Sequence, residues 1–429
     1  MVTISADDVV RASRLAGCLS VRFRCQDGGD AFSAIRANGH LGTVQGSISV
    51  VTCAPGAEPD VARLGKPKDR VRVIARRDVE REGVAAAGPS SHASRDTRGY
   101  VRVGDAWELR PVQVVPIRDE LFSRSRGLLE TDVMADATVL VGGVGSVGSH
   151  VAVELAKTGL NEVLLDHDRV EVANVGRHVA ILDDVGRFKV KVVAERILGK
   201  NPFAKVEACP EKISWDTEDR VRELVRRADL VVGAVDSLDA RVILNKVCVE
   251  ENKPVIFAGA FRRAYGGHIL FVRPRVTPCY QCFLQGLPQS ARTEQMSGQE
   301  RAERVAYSDV PAPIEPGLST DIWPLNIMVV KLAIQYLLRD KPTTLRSLDE
   351  DLTAPLYLWL NRREPGTDYE KLEPLGCNID GLRVLRWYGI MMQREKGCPC
   401  CGDAYEEMAM ERLAHMLAPP SPTTRGSEG

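Results

Sequence analysis

Residues 137 to 177 constrain this chain more than any other stretch. ATVLVGGVGSVGSHVAVELAKTGLNEVLLDHDRVEVANVGR carries a strand, a glycine-rich turn, a helix, a second strand and a dense polar cluster, in that order. Ala137 to Val141 is a short apolar run without helical period, and Gly143, Gly145 and Gly148 follow at GxGxxG spacing before an apolar-periodic segment. This is the pattern of a strand feeding a helix through a phosphate loop. Gly143 allows the tight turn, Gly145 lets backbone approach a phosphate, and Gly148 lets the helix pack close on the strand, while free N–H groups at the helix start attract the anion. The helix runs to Gly159, placed as a C-cap. A second strand, Glu162 to Leu165, ends in Asp166, 23 residues after Gly143, where an acid is expected on a ribose hydroxyl. Up to this point a dinucleotide dehydrogenase fits equally well.

The residues after the acid separate the alternatives. Asp166-His167-Asp168-Arg169-Val170-Glu171 leads to Asn174 and Arg177, and Lys189 follows in VGRFK, so two cations and an amide come just past the strand's carboxyl end. A nicotinamide site has no use for that much positive charge beside its ribose. A triphosphate undergoing displacement does, because charge builds on the departing pyrophosphate. Either cation alone would read as a solvated surface residue. Further on, the apolar run Asp229 to Val235 predicts another strand, and Asp236 ends it.

These spaced motifs resemble the adenylyltransferases typified by ThiF and MoeB, together with the ubiquitin-activating enzymes built on the same domain. That family carries GxGGxGS, then DxDxVExSNLxRQ, then a lysine, then an aspartate in a DN or DxxxxR context; here they read GVGSVGS, DHDRVEVANVGRH, Lys189 and AVDSLDAR. The resemblance covers roughly residues 122 to 282 and the Cys-rich C-terminal end. It implies Asp166 as ribose ligand, Asn174, Arg177 and Lys189 as triphosphate contacts, Asp236 as magnesium ligand and Arg241 as the family arginine. Phe122-Ser123-Arg124 resembles the family's YxR segment, which implies a homodimer with Arg124 reaching into the neighbour's active site. Ser146 replaces the usual second glycine of a pair and His178 the usual glutamine; neither departure removes a charge. The implied cofactors are ATP, Mg2+ and structural Zn2+. The implied reaction is attack by a protein's C-terminal carboxylate, already ionised at neutral pH, on the α-phosphate of ATP, which needs positioning and charge neutralisation and no general base.

A second signal lies far from the first. Cys279-Tyr280-Gln281-Cys282 and Cys398-Pro399-Cys400-Cys401 form two CxxC pairs, and four thiolates so spaced suit tetrahedral zinc. The pairs lie far apart in sequence, so the metal would staple distant segments, a structural role. Gly402 would help turn the knuckle. Cys400 is the ambiguous member, since Cys398 with Cys401 gives the proper spacing and leaves it over.

After Cys282 the chain is polar and proline-containing, resembling the family's crossover loop, which guides the incoming carrier tail. In thioester-forming members that loop holds the nucleophilic cysteine, and here none stands from Phe283 to Asp321. Either the enzyme stops at the adenylate, or another thiol such as Cys377 or Cys400 serves, or a natural loop cysteine has been replaced.

With 429 residues the chain has room for two or three domains, and a formal charge of −1 argues against nonspecific nucleic-acid binding. No segment approaches ~18 uninterrupted apolar residues and no signal peptide opens the chain, so a cytoplasmic enzyme without membrane contact is expected. Eleven cysteines, an odd number, fit a reducing compartment. Residues 1–117 predict a small α+β domain, with strands at Gly46 to Val51, Arg70 to Ala75, Gly99 to Val103 and Trp107 to Pro116, a helix at Ala6 to Leu15 and a mobile loop from Arg81 to Gly99. A degenerate JAB-like unit, offering only His92 and Asp96 without an HxH pair, and an unrelated recruitment module both remain open for it. Residues 118–345 predict an α/β adenylation domain with a Rossmann-like, mainly parallel sheet and a crossover loop at 284–317. Its last helix is expected from Ile322 to Leu338. Residues 346–416, with a closing strand at Pro355 to Leu360, complete the zinc site, and 417–429 form a disordered tail.

The reading is ATP-dependent adenylation of the C-terminal carboxylate, Gly-Gly in type, of a ubiquitin-like protein in a bacterial conjugation system that includes a ubiquitin-conjugating-like enzyme. A sulfur-carrier protein adenylyltransferase is the alternative, and an NAD-dependent oxidoreductase the alternative from another class.

Overall fold

The computed structural model describes residues 2–5, 18–25, 32–33, 43–53, 71–78, 97–103, 105–110, 112–115, 120–287, 316–343, 345, 348–367, 370 and 384–403. The expected helix at 6–15, the pair His92 and Asp96, residues 288–315 of the crossover loop, Cys377 and the tail lie outside the described residues. The chain divides into two compact units, Met1–Arg126 with Leu198–Phe203, and Gly127–Ile197 with Ala204–Gly429.

The first unit holds a sheet of β1 (Val2–Ser5), β2 (Cys18–Cys25), β3 (Phe32–Ser33), β4 (Thr43–Cys53), β5 (Val71–Asp78), β6 (Thr97–Val103), β7 (Ala106–Arg110) and β8 (Val112–Val115), in the order β7-β6-β5-β4-β2-β3-β1-β8. Two expectations are corrected here. Thr97 to Gly99 belong to β6 and not to a loop, because the antiparallel ladder with β5 continues to Thr97 opposite Ala75. The stretch from Trp107 to Pro116 is two strands, β7 beside β6 and β8 parallel to β1; Pro111 between them has no N–H to carry one ladder through.

The second unit is built on β9 (Thr138–Gly142), β10 (Asn161–Leu165), β11 (Val206–Cys209), β12 (Leu230–Gly233), β13 (Val255–Ala260), β14 (Gly266–Val272), β15 (Leu356–Leu360) and β16 (Trp387–Ile390), ordered β11-β10-β9-β12-β13-β14-β15-β16. Strands from β11 through β13 are parallel, and the three pairings from β13 to β16 are antiparallel. The described helices are α1 (Thr131–Asp136), α2 (Gly148–Ala156), α3 (Lys189–Lys200), α4 (Glu218–Arg226), α5 (Leu238–Glu250), α6 (Tyr280–Gly286), α7 (Ser319–Leu338) and α8 (Leu348–Asp351). Residues 284–286, expected at the start of the crossover loop, complete α6 instead, with Phe283 buried in the core.

Both faces of the central strands are covered, which is why β9, β10 and β12 to β14 read as largely continuous apolar runs. Val139 and Val141 of β9 face the core formed with Val151 and Leu155 of α2, Val190 and Val193 of α3, and Leu325 and Val329 of α7. Leu140, one residue out of phase, faces the opposite core with Leu224 of α4, Ile243 and Leu244 of α5, and Tyr280 of α6. Helix α7 is long and apolar enough to cross a membrane by composition, as is the core helix of many globular proteins; here it packs along β13 and β14. The strand order reverses beside β9: β10 and β11 lie on one side, β12 and β13 on the other. A crevice at such a switch point, at the carboxyl ends of the strands, is where open α/β sheets bind ligands.

Candidate active site

The glycine loop leaves β9 at that switch point, and three different contacts hold it. Gly143 has φ +81°, and a β-carbon there would stand 2.6 Å from the Ala234 carbonyl oxygen and 2.8 Å from the Val235 nitrogen, so glycine lets the loop lie against the end of β12. A β-carbon on Gly148 would meet the Gly143 oxygen at 1.9 Å, and glycine there lets α2 start directly over the turn. Gly145 differs. Among the described residues nothing lies within 4 Å of where its β-carbon would be, so no contact among them requires glycine, and the open space suits a ligand phosphate approaching the backbone.

Asp166 follows β10. Its Oδ2 accepts the Val144 N–H at 2.8 Å and its Oδ1 the Asp168 N–H at 2.8 Å. Burial pushes its carboxyl upward, opposed by the charge of Lys189 and by those backbone donors. Lys189 begins α3, and its Nζ donates to Asp168 Oδ2 at 2.7 Å. Short backbone bonds between 168–170 and 186–189, including Lys189 N–H to the Asp168 carbonyl at 2.9 Å, keep the two side by side.

Asn174 and Arg177 lie in the 3-10 turn Val172–Arg177. Asn174 Oδ1 accepts the Glu171 N–H at 2.9 Å, and a β-carbon on Gly317, just ahead of α7, would be 3.6 Å from Arg177 Nη1. The next residue ties this turn to the loop. His178, buried, has Nε2 at 2.7 Å from the Val144 carbonyl and accepts the Ala180 N–H at Nδ1, 2.9 Å. A backbone N–H can only donate, so Nδ1 is bare and the proton sits on Nε2. Burial pushes this imidazole down to about 4, with the Val144 hydrogen bond opposing.

Asp236 is exposed, just beyond β12 and next to the Ala234–Val235 segment against which Gly143 packs. Ser237 caps α5 by accepting the Ala240 N–H at 3.1 Å. The structure thus gathers the loop, Asp166, Lys189, the turn with Asn174 and Arg177, and Asp236 around one switch point. Arg124 is exposed and belongs to the first compact unit. Arg241 is buried, its Nε donating to the Val235 carbonyl at 2.9 Å and its Nη1 to Tyr280 Oη at 3.2 Å. Asp168 and His178 as anchors of Lys189 and of the loop are roles that sequence spacing does not reveal. A shallow apolar groove beside Trp323, Ile327, Lys331 and Trp387 contains none of the expected site residues.

A family model, the ThiF family, matches residues 120–350, more than half of the chain. The chain belongs to the ThiF family. This is the adenylyltransferase family that its motifs resemble, and membership replaces the dehydrogenase alternative. Among curated relatives, the chain is 35% identical over 163 residues to the ubiquitin-like modifier-activating enzyme 5 of Drosophila ananassae, covering 36% of this chain and 41% of that protein. It is 34% identical over 207 residues to the enzyme of the same name from Caenorhabditis briggsae, covering 46% and 48%. The chain thus spans less than half the length of these relatives. The crystal structure of E. coli MccB with MccA-N7isoASN is similar at 21% identity and a TM-score of 0.46, over 63% of this chain and 69% of that one.

The second cluster is also formed. Cys279, Cys282, Cys398 and Cys401 are buried with all four sulfurs within 4.8 Å of one another; Cys279 to Cys398 is 3.6 Å, Cys282 to Cys401 3.4 Å and Cys279 to Cys282 3.9 Å. A tetrahedron with metal–sulfur bonds of about 2.3 Å has edges of about 3.8 Å, so the donor set fits zinc. Cys400 is outside this set, and its sulfur accepts Asn245 Nδ2 at 3.1 Å. Gly402 is required at the knuckle, where a β-carbon would stand 2.3 Å from the Lys396 oxygen.

Proposed function

We propose that the chain activates the C-terminal carboxylate of a ubiquitin-like protein by ATP-dependent adenylation, releasing pyrophosphate. The observation that carries this reading is the convergence of the Gly145 opening, Asp166, Lys189 and Asp236 at the switch point of a ThiF-family sheet. In this reading Asp166 holds the ribose, and the loop with the start of α2 receives phosphate. Asn174, Arg177 and Lys189 neutralise the triphosphate, Lys189 exchanging Asp168 for phosphate oxygens. Asp236 would hold magnesium, which supplies further charge neutralisation. The carrier's carboxylate needs no base, so these groups orient and shield charge. The Cys279, Cys282, Cys398 and Cys401 set would hold structural zinc. A Gly-Gly terminus on the carrier, a homodimer completed by Arg124 and a ubiquitin-conjugating-like partner extend the proposal, with sulfur-carrier activation as the alternative within the family.

The test is ATP–pyrophosphate exchange with candidate carrier proteins. Exchange that depends on a carrier and vanishes in Asp236→Ala supports the reading. Full exchange in that variant would remove Asp236 from it, and no exchange with any Gly-Gly carrier, ubiquitin-like or sulfur-carrier, would overturn the function.

A further inference from the structure

The two clusters are joined through the protein interior. Cys400, within the knuckle, accepts a hydrogen bond from Asn245 Nδ2 at 3.1 Å, and the Oδ1 of the same amide accepts the backbone N–H of Tyr280 at 2.8 Å. Because Tyr280 N–H can only donate, the Asn245 amide has a single orientation that serves both partners. Tyr280 stands between the ligands Cys279 and Cys282, so both halves of the cysteine cluster meet at Asn245. At its other end Tyr280 Oη accepts Arg241 Nη1 at 3.2 Å, and Arg241 Nε donates to the Val235 carbonyl at 2.9 Å. That carbonyl lies in the same rigid peptide plane as the nitrogen and Cα of Asp236. Gly143 packs against the preceding peptide, between Ala234 and Val235.

Asn245 and Tyr280 are fully buried and Arg241 nearly so, which strengthens each bond and makes a broken one costly. Gly259 keeps space for the guanidinium, since a β-carbon there would be 3.2 Å from Arg241 Nη2. His268, beside it, is pushed down to about 3 by burial and by the Arg241 charge, and so stays neutral.

We propose that Asn245, Tyr280 and Arg241 are positioning residues that couple metal occupancy of the cysteine cluster to the orientation of Asp236, and hence to its affinity for magnesium. This rests on the assignment of Asp236 above. With the cluster loaded, the CxxC backbone, Asn245 and Tyr280 are fixed, and Arg241 holds the Val235 carbonyl. With the cluster empty, Cys279 to Cys282 and the knuckle lose their common anchor, and the Asp236 turn gains freedom. Coupling of this kind needs a cycle of perturbations rather than spatial proximity to establish it.

The experiment uses full-length zinc-loaded protein, the same protein stripped with 1,10-phenanthroline and desalted, and Tyr280→Phe in both states. Amide hydrogen exchange is read across residues 235–241, and the half-saturating magnesium concentration is read from pyrophosphate exchange. Stripping wild type should speed exchange there about tenfold and raise the magnesium requirement about fivefold, the scale of one net intramolecular hydrogen bond. Loaded Tyr280→Phe should show the same shifts, with kcat at saturating magnesium kept, and stripping it should add little. Arg241→Lys, which keeps the charge but not the fork, should shift both readouts in the same direction and serves if Tyr280→Phe does not fold. Equal additional shifts on stripping wild type and variant, or a loaded variant indistinguishable from wild type, would overturn the coupling. If wild type shows no pyrophosphate exchange the function reading fails, while the hydrogen-exchange arm still decides the coupling.

Discussion

His178 gives the sharpest quantitative test of the site's architecture. In the folded protein its ring is buried and neutral, pushed from an ordinary 6.5 down to about 4, whereas in the unfolded chain it titrates at the ordinary value. A depressed histidine contributes stability that is present above 6.5 and is lost as pH falls toward 4, because the unfolded chain takes up the proton first. The loss equals RT ln[(1 + 10^(6.5 − pH))/(1 + 10^(4 − pH))]. It amounts to about 0.2 kcal/mol at pH 7 and about 2 kcal/mol at pH 5. His178→Gln removes the titration but keeps a donor for the Val144 carbonyl and an acceptor for the Ala180 N–H. Urea unfolding of both proteins at pH 7 and pH 5 cancels every other titrating group in the difference of differences. The variant should be within about 1 kcal/mol of wild type at pH 7, and should gain about 2 kcal/mol on it by pH 5. An equal loss in both proteins would mean that the imidazole is not held neutral against the loop.

Three further outcomes follow from the same geometry. Gly145→Ala should leave unfolding stability within about 0.5 kcal/mol of wild type yet weaken nucleotide binding by calorimetry, whereas Gly148→Ala, whose β-carbon would strike the Gly143 oxygen at 1.9 Å, should lose both. Glu162 of β10 is buried with neither carboxylate oxygen partnered among the described residues, and burial raises its carboxyl well above the ordinary range. Its stabilising contribution is complete below the unfolded value and is lost as pH rises through the folded one, so Glu162→Gln should be more stable at pH 7 by about 1–3 kcal/mol and insensitive to that rise. Mixing inactive Arg124→Ala with inactive Arg177→Ala should restore pyrophosphate exchange if Arg124 acts across a dimer; no recovery at any ratio would refute the shared site.

Much of this fold is legible in the sequence because β9, β10 and β12 are buried on both faces and end in residues of unusual type. The need for glycine at 143 and 148 is visible in the spacing, but its reason at 148 is the Gly143 oxygen of the turn rather than the strand. Strand β11 is short and mostly half-exposed, and its VEAC offers little pattern. β2 holds Leu19, Val21 and Phe23 alternating with Ser20, Arg22 and Arg24, a usable period-2 signal that a reading led by motifs passes over. The polar partnerships are the illegible part. Lys189 meets Asp168 across 21 residues, His178 meets Val144 across 34 and Asn245 meets Cys400 across 155, and nothing in spacing announces such pairs.

Those hidden partnerships show which elements hold the loop. Val144 donates its N–H to Asp166 and accepts His178 at its carbonyl, so the two peptide planes flanking its Cα are fixed by different elements. Gly143 is fixed by its N–H to the Leu165 carbonyl at 2.8 Å and by close approach to the end of β12. Two residues on, no described residue lies within 4 Å of where a Gly145 β-carbon would stand. These bonds hold the backbone just before the position proposed for phosphate, an arrangement that would lower the cost of ordering the loop on binding. Weakening the His178 bond to the Val144 carbonyl should accordingly lower nucleotide affinity without removing any group proposed to touch the nucleotide, whereas changing Gly145 acts on the proposed contact itself.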